Sequence, residues 1–363
     1  MIIRRLMFVA GAVLILPASL LTALALFTPI TFSGALYLIG ALVIAAGAIT
    51  TPWRRTRFRG VTRTGMALIC LVVCTRLVVA TSGTTVTLLT LPDGQNTRWL
   101  DRLVHERDIA LFGVQLAYLA RTAISPREHE GLMPALQAAY AAMDKAGETT
   151  SSSFLSTCLG RQHPGSFDTM VIEPAGGKPA RTAVMFLHGF GGSFVVQGWL
   201  VAQAAGKIGA VTVCPSVGWR GDWWTEDGQQ TVFNTLDYLR ARGVKRVYLA
   251  GLSNGAVGTC RLAPCLSSEL AGLILISGAD PHVPDAGLPV LALQGDADER
   301  MPAALAIQAT QQAGKRGTYR GFDGDHLLLA KRAHEVQEAL AAWLSQQEDG
   351  AKTGVQATRL PRD

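Results

Sequence analysis

Charge is what this sequence most lacks. Asp, Glu, Lys and Arg make up 17% of 363 residues, against 49% hydrophobic ones, too apolar a balance for an ordinary soluble protein. The deficit lies at the front. Leu6 to Phe27 and Thr31 to Ile49 carry no charge, and "GMALICLVVCTRLVVA", Gly65 to Ala80, is interrupted only by Arg76. Apolar runs of about 20 residues are long enough to cross a bilayer as helices. The first run is longer than the apolar region of a cleaved signal peptide, and a second follows almost at once, so it reads as a retained anchor.

A basic surface for nucleic acid is also missing. The formal net charge is +6, and seven arginines sit at the membrane flanks: Arg4, Arg5, Arg54, Arg55, Arg57, Arg59 and Arg63. Subtracting these seven from +6 leaves −1, so the rest of the chain has no excess of positive charge. The bilayer is therefore the expected partner, and no nucleic acid is. Short Arg-rich loops stay cytoplasmic, which puts the N-terminus and the 54–63 loop inside. Arg76 costs about 2.5–3.5 kcal/mol at a bilayer centre, but it lies toward the far end of its run, where its side chain is expected to snorkel outward. The third span can also borrow from "TSGTTVTLLTL". Three spans place everything from Pro92 onward on the extracytoplasmic side. An amphipathic or buried third segment would leave it in the cytoplasm.

Other absences narrow the chemistry. There is no internal repeat. His163 and His282 show no ligand-like spacing, no metal cluster stands out, and no cofactor is called for. Of six cysteines, Cys70 and Cys74 lie in the third apolar run, and Cys214 falls mid-strand as a small buried hydrophobe. Extracytoplasmic placement would make a disulfide between two of Cys158, Cys260 and Cys265 chemically possible.

What is present begins with a helical lead-in. "RWLDRLVHERDIALFGVQLAYLARTA" and "SPREHEGLMPALQAAYAAMDKAG" have apolar residues at helical spacing, with Ser125 as a start and Gly147 as a stop. His105 and His129 on these helices read as solvated surface, and "ETTSSS" reads as a linker. Strands and helices then alternate: "FDTMVIEP", "TAVMFLHG", "AVTVCPS", "VKRVYLAG", "AGLILISG", "LPVLALQGD" and "TYRGF" are the strands. Continuous apolar strands alternating with helices mean a parallel sheet covered on both faces. The expected divisions are a membrane anchor over 1–83, the lead-in over 84–150, an α/β domain over 151–346 and a polar, frayed tail over 347–363.

"GLSNG", 251–255, closes the strand "VKRVYLA" and opens a helix. A serine on such a tight turn has strained backbone angles, and flanking glycines remove side chains that would collide with the neighbouring strand and helix. "GDADERMP" follows a later strand, and "DGDHLLL" follows the last one. In a doubly wound sheet, chemistry gathers at these carboxyl ends. The order Ser, Asp, His resembles the α/β-hydrolase family over roughly residues 155–346. The resemblance implies a doubly wound, mostly parallel sheet, here preceded by transmembrane helices. It implies Ser253 as nucleophile, His326 as base and Asp298 as the acid orienting it, with Asp296 as the rival acid. "HGFGGS", 188–193, matches the family's oxyanion loop, so the N–H groups of Phe190 and Asn254 are the implied oxyanion donors, and His188 shapes the loop.

Only about ten residues separate "LILISG" from "LPVLALQ", which leaves no room for a cap domain. The loop "SVGWRGDWWTEDG" puts Trp219, Trp223 and Trp224 at the same edge of the sheet. They are candidates to line an acyl or aryl pocket, or else they pack the loop or dip into headgroups. The resemblance implies a serine hydrolase that cleaves carboxylic esters of a small-molecule or lipid-like acyl substrate. A serine peptidase, an acyltransferase and a non-catalytic binding protein on the same fold are the alternatives.

Overall fold

The computed structural model describes residues 2–50, 57–80, 83–148, 151–177, 179–280 and 286–357. Two compact units divide the chain. The first comprises Met1–Thr81, Trp99–His129 and Thr150–Ser152. It opens with helices Ile2–Ala25, Phe32–Thr50 and Arg57–Val79. Two stretches, Phe32–Ile49 and Gly60–Val79, are long and apolar enough to cross a membrane, with mean hydropathies of 2.1 and 1.7. Gly11–Ala25 is a shorter apolar helical stretch. Arg57, Arg59 and Arg63, expected in a loop, lie on the third helix. Arg54 and Arg55 lie outside the described residues, as does His282.

Arg76 does not snorkel. It is buried, and its guanidinium donates from Nε to the Arg102 carbonyl and from Nη2 to the Val104 carbonyl, both at 3.1 Å. Helix Trp99–Arg102 ends there, so these carbonyls lack helical partners and accept the charge. A similar exchange starts the second long helix. Asp108 accepts from the Thr31 N–H at 2.8 Å and from its hydroxyl at 2.5 Å. Neither lead-in histidine is plain solvated surface. His105 Nδ1 caps helix Glu106–Leu119 by accepting from the Arg107 N–H. Burial first, then the charges of Arg76 and Arg107, push its imidazole down to about 4. His129 stacks on Tyr118 at 4.0 Å and bonds Gln115 at 2.9 Å.

The second unit comprises Ser82–Arg98, Glu130–Thr149 and Ser153–Asp363, so the lead-in is shared between the two units. Among the described residues this unit holds nine strands: β1 Val86–Leu91, β2 Gln95–Asn96, β3 Phe167–Ile172, β4 Thr182–Leu187, β5 Val211–Pro215, β6 Arg246–Leu252, β7 Leu270–Ile276, β8 Val290–Gly295 and β9 Gly317–Phe322. Their order across one sheet is β2-β1-β3-β5-β4-β6-β7-β8-β9. From β5 to β9 every pairing is parallel, while β1, β2 and β3 join antiparallel. The result is the doubly wound, mostly parallel α/β sheet without a cap domain that the sequence implied. The first strand was not expected. Val86–Leu91 pairs residue by residue with β3, so "TVTLLTL" belongs to the sheet and cannot lengthen the third span.

Strand side chains alternate between faces. Ala183, Met185, Leu187, Leu249 and Leu275 share one core with helices Glu226–Ala241, Asn254–Leu266 and Ala303–Gln312. On β6 the alternate residue Tyr248 meets Trp343 of helix Ala333–Ala357 edge-on, 5.7 Å between ring centroids. That helix runs well past Gln347, where a frayed tail was expected, because Glu348 is tied down. Its carboxylate accepts from Arg246 Nε at 2.8 Å and from the Tyr248 hydroxyl at 2.9 Å. The stretch expected to be a linker is also fixed. Ser151, Ser152 and Ser153 are all buried, while Thr149 and Thr150 lie outside the described residues. All six cysteines are free thiols, with Cys214 and Cys260 buried.

Candidate active site

Six parallel strands, β4 to β9, end at one edge of the sheet, and the segments after five of them carry the predicted residues. Ser253 follows β6, Asp298 follows β8 and His326 follows β9. Phe190 follows β4, and Trp219 follows β5. Ser253 has φ 54° and ψ −118°, and is one of three non-glycine residues with positive φ among those described. Such a conformation costs of order 1–3 kcal/mol and persists only where surroundings enforce it. Two glycines make the enforcement possible. A Cβ on Gly251 would collide with the Gly255 backbone, and one on Gly255 would collide with the Leu187 carbonyl at the end of β4. The turn is therefore pressed between its own helix and the neighbouring strand, and the Ser253 side chain has one way out.

That way leads to His326. The Ser253 Oγ to His326 Nε2 distance is 2.9 Å, and His326 Nδ1 lies 2.8 Å from Asp298 Oδ2. Asp298 and His326 are buried. The other Asp298 oxygen, Oδ1, accepts backbone N–H bonds from Arg300 and Met301, each 2.9 Å. Burial alone would raise the Asp298 carboxyl, but the hydrogen bond and charge of His326, with those backbone donors, outweigh it and hold the group below its ordinary value. Asp298 is thus an anion with its second oxygen aimed at the imidazole. The rival, Asp296, is exposed and approaches Gly321 instead. One neighbour of Asp298 was not foreseen: buried Gln294, the last side chain of β8 before its closing glycine, donates from Nε2 to Asp298 Oδ2 at 2.8 Å.

The segments that carry the expected oxyanion donors pass beside Ser253. Residue 189 passes so close that a Cβ there would lie 3.0 Å from the Ser253 Cβ. Neither the Phe190 nor the Asn254 backbone N–H has a hydrogen-bond partner among the described residues. Asn254 also opens helix Asn254–Leu266, whose N-terminus favours negative charge. His188 is structural, as expected. Its ring is buried, Nδ1 donates to the Gly189 carbonyl at 2.7 Å, and Nε2 accepts from the Val217 N–H at 3.2 Å. Burial drives its imidazole down to about 4, so it remains neutral while it props the loop.

The three tryptophans separate. Trp223 is not a pocket residue: it is fully buried, its indole N–H donates to the His188 carbonyl at 2.9 Å, and Gly258 of helix Asn254–Leu266 packs against it. Trp224 lies under the Arg261 guanidinium, 4.9 Å from its ring centroid. Trp219 alone is exposed. Its backbone carbonyl accepts from the Gly191 N–H at 2.8 Å, and its ring meets Phe190 at 6.0 Å and Phe154 at 5.5 Å, both edge-on. Phe190 is 60% exposed, an unusual state for a phenylalanine next to a catalytic candidate. Phe154 escaped notice because it follows the serine-rich stretch read as a linker. Gln294 had one signal, a lone amide in the apolar strand "PVLALQG".

No protein-family model matches the chain, and no curated protein does. Among solved structures it is similar to Est1E from Butyrivibrio proteoclasticus, at 17% identity over 51% of this chain and 95% of that one, TM-score 0.43. It is similar to an alpha-beta serine hydrolase homologue from Coxiella burnetii, at 20% identity over 50% and 94%, TM-score 0.40. It is also similar to XC6422 from Xanthomonas campestris, a serine hydrolase without lid, at 21% identity over 50% and 89%, TM-score 0.40. At these values the chemistry has to come from the residues of this chain.

Proposed function

We propose that this chain is a membrane-anchored serine hydrolase that cleaves carboxylic esters. The observation that carries the proposal is the continuous hydrogen-bonded chain from Ser253 through His326 to ionised Asp298, built on a strained turn at a strand end. His326 Nε2 takes the hydroxyl proton as Ser253 Oγ attacks the ester carbonyl. The carbonyl electron pair moves onto oxygen, where the N–H groups of Phe190 and Asn254 stabilise it. Asp298 holds the ring in the tautomer with its proton on Nδ1 and balances the imidazolium. Collapse expels the alcohol, which takes the proton from His326. Water, deprotonated by the same nitrogen, then releases the acid and restores Ser253.

The exposed rings of Phe190 and Trp219 support an apolar acyl substrate, small or lipid-like. They flank the oxyanion loop with no cap above them in the sequence. A serine-directed phosphonate on intact cells tests the chemistry. The adduct should map to Ser253; a folded protein that takes no label, or takes it on another serine, refutes the proposal.

The anchor is proposed to cross the bilayer three times, with the hydrolase on the extracytoplasmic side. The Arg-rich flanks favour the cytoplasm for residues before the third helix, and Gly60–Val79 has the length and apolarity of a span. A C-terminal tag should be digested from outside in spheroplasts whose inner membrane is intact. Protection until lysis would mean a cytoplasmic hydrolase.

A further inference from the structure

Gln294 is one of the few polar side chains inside the sheet, with 1% of its surface exposed. Its Nε2 donates twice, to Asp298 Oδ2 and to the Met301 carbonyl, each at 2.8 Å. Its Oε1 is buried with no hydrogen-bond partner. The orientation of the amide is dictated by these neighbours. Turned over, it would set its oxygen against a carboxylate and a carbonyl, two acceptors facing an acceptor. A buried oxygen without a partner is a cost that native proteins seldom carry. An apolar residue of the same length would remove that cost, and every other side chain on β8 is apolar.

The donor explains why the cost is tolerated. Asp298 Oδ2 receives both the His326 ring and Gln294, while Oδ1 is fixed by the Arg300 and Met301 N–H groups. Without Gln294, Oδ2 would be held by the imidazole alone, the group it has to orient. We infer that Gln294 is a positioning residue for the proposed hydrolysis: it fixes Asp298 Oδ2 toward His326 and draws charge off that oxygen, while its bond to Met301 closes the turn that carries Asp298. This role exists only if Ser253 is the nucleophile proposed above.

The test is Gln294→Met, which keeps length and apolar packing but loses the donor, alongside Gln294→Glu, which keeps the shape and, holding its proton beside the Asp298 carboxylate, keeps an O–H donor. Both are measured on the full chain as the rate of phosphonate labelling at Ser253 across pH, and as kcat and KM for a short activated ester per labelled site. Counting only reactive sites makes the measurement valid even when a minority is folded. For Gln294→Met, kcat per site should fall about tenfold with KM little changed, the cost of a loosened catalytic geometry. The acid limb should move upward by about half a pH unit, because an Oδ2 with one donor fewer stabilises the imidazolium more. Gln294→Glu should bring the rate and the pH profile per site back toward the wild type. A merely structural role lowers the melting temperature and the number of reactive sites but leaves rate and pH profile per site unchanged, and that result overturns the inference. If the wild type itself takes no label at Ser253, the hydrolase proposal fails instead.

Discussion

Asp298 receives four donors on two oxygens, two of them backbone N–H groups and two of them side chains. In the proposed hydrolysis this suits an orienting anion better than a proton carrier: the acid is held below its ordinary value despite burial. Asp298→Asn replaces an acceptor with an amide whose N–H would face the ring, favouring the wrong tautomer. The expected loss in kcat is about a thousandfold or more, with Asp296→Asn costing little because that carboxylate is exposed and turned toward Gly321. Side-by-side kinetics of the two variants check this, and a more damaging Asp296 change would transfer the role. The sequence already favoured Asp298 through its place in "GDADERMP". It could not reveal the partners: His326 reaches Asp298 only through the pairing of β8 with β9, and the local donors converge only through the fold of the turn.

At the scale of elements, the loop after β5 divides its tryptophans by what lies beneath each of them. Trp223 plugs the space under the proposed oxyanion loop, so Trp223→Ala should cost about 3–5 kcal/mol, lower the melting temperature and reduce turnover of all esters alike. Trp219→Ala should leave the melting temperature within a few degrees and lower kcat/KM for long-chain or aryl esters relative to acetates. A calorimetric scan and an acyl-chain series check both; the opposite pattern would exchange the roles. Spacing alone placed all three on one loop, because "GWRGDWW" has no periodicity to sort inside from outside. The same physics explains the other misread elements. "TVTLLTL" is a short apolar run, and periodicity does not tell such a run from a helix segment; only its ladder with β3 makes it a strand. "SSS" has the composition of a linker, yet those serines are buried, a fact of tertiary packing. The parallel strands were legible because burial on both faces makes them continuously apolar.

At the scale of the whole molecule, one chain joins two units of contrasting composition, an apolar helical set and a sheet with the candidate site at one edge. Charge scarcity announced the first, and the order of strand-end motifs announced the second. Arg76 was the point where composition misled: its charge is satisfied by carbonyls 26 and 28 residues later, which no local window contains. A hydrolase tethered as proposed would meet substrates that partition into the bilayer, in keeping with the exposed aromatic pair Phe190 and Trp219 beside the proposed oxyanion loop. The central claim is that Ser253 does the chemistry, and Ser253→Ala tests it most directly. With the full chain in detergent or vesicles, kcat for a short activated ester should fall by about four to six powers of ten, with melting temperature and KM close to the wild type. Turnover within tenfold of the wild type by the folded variant would contradict the account.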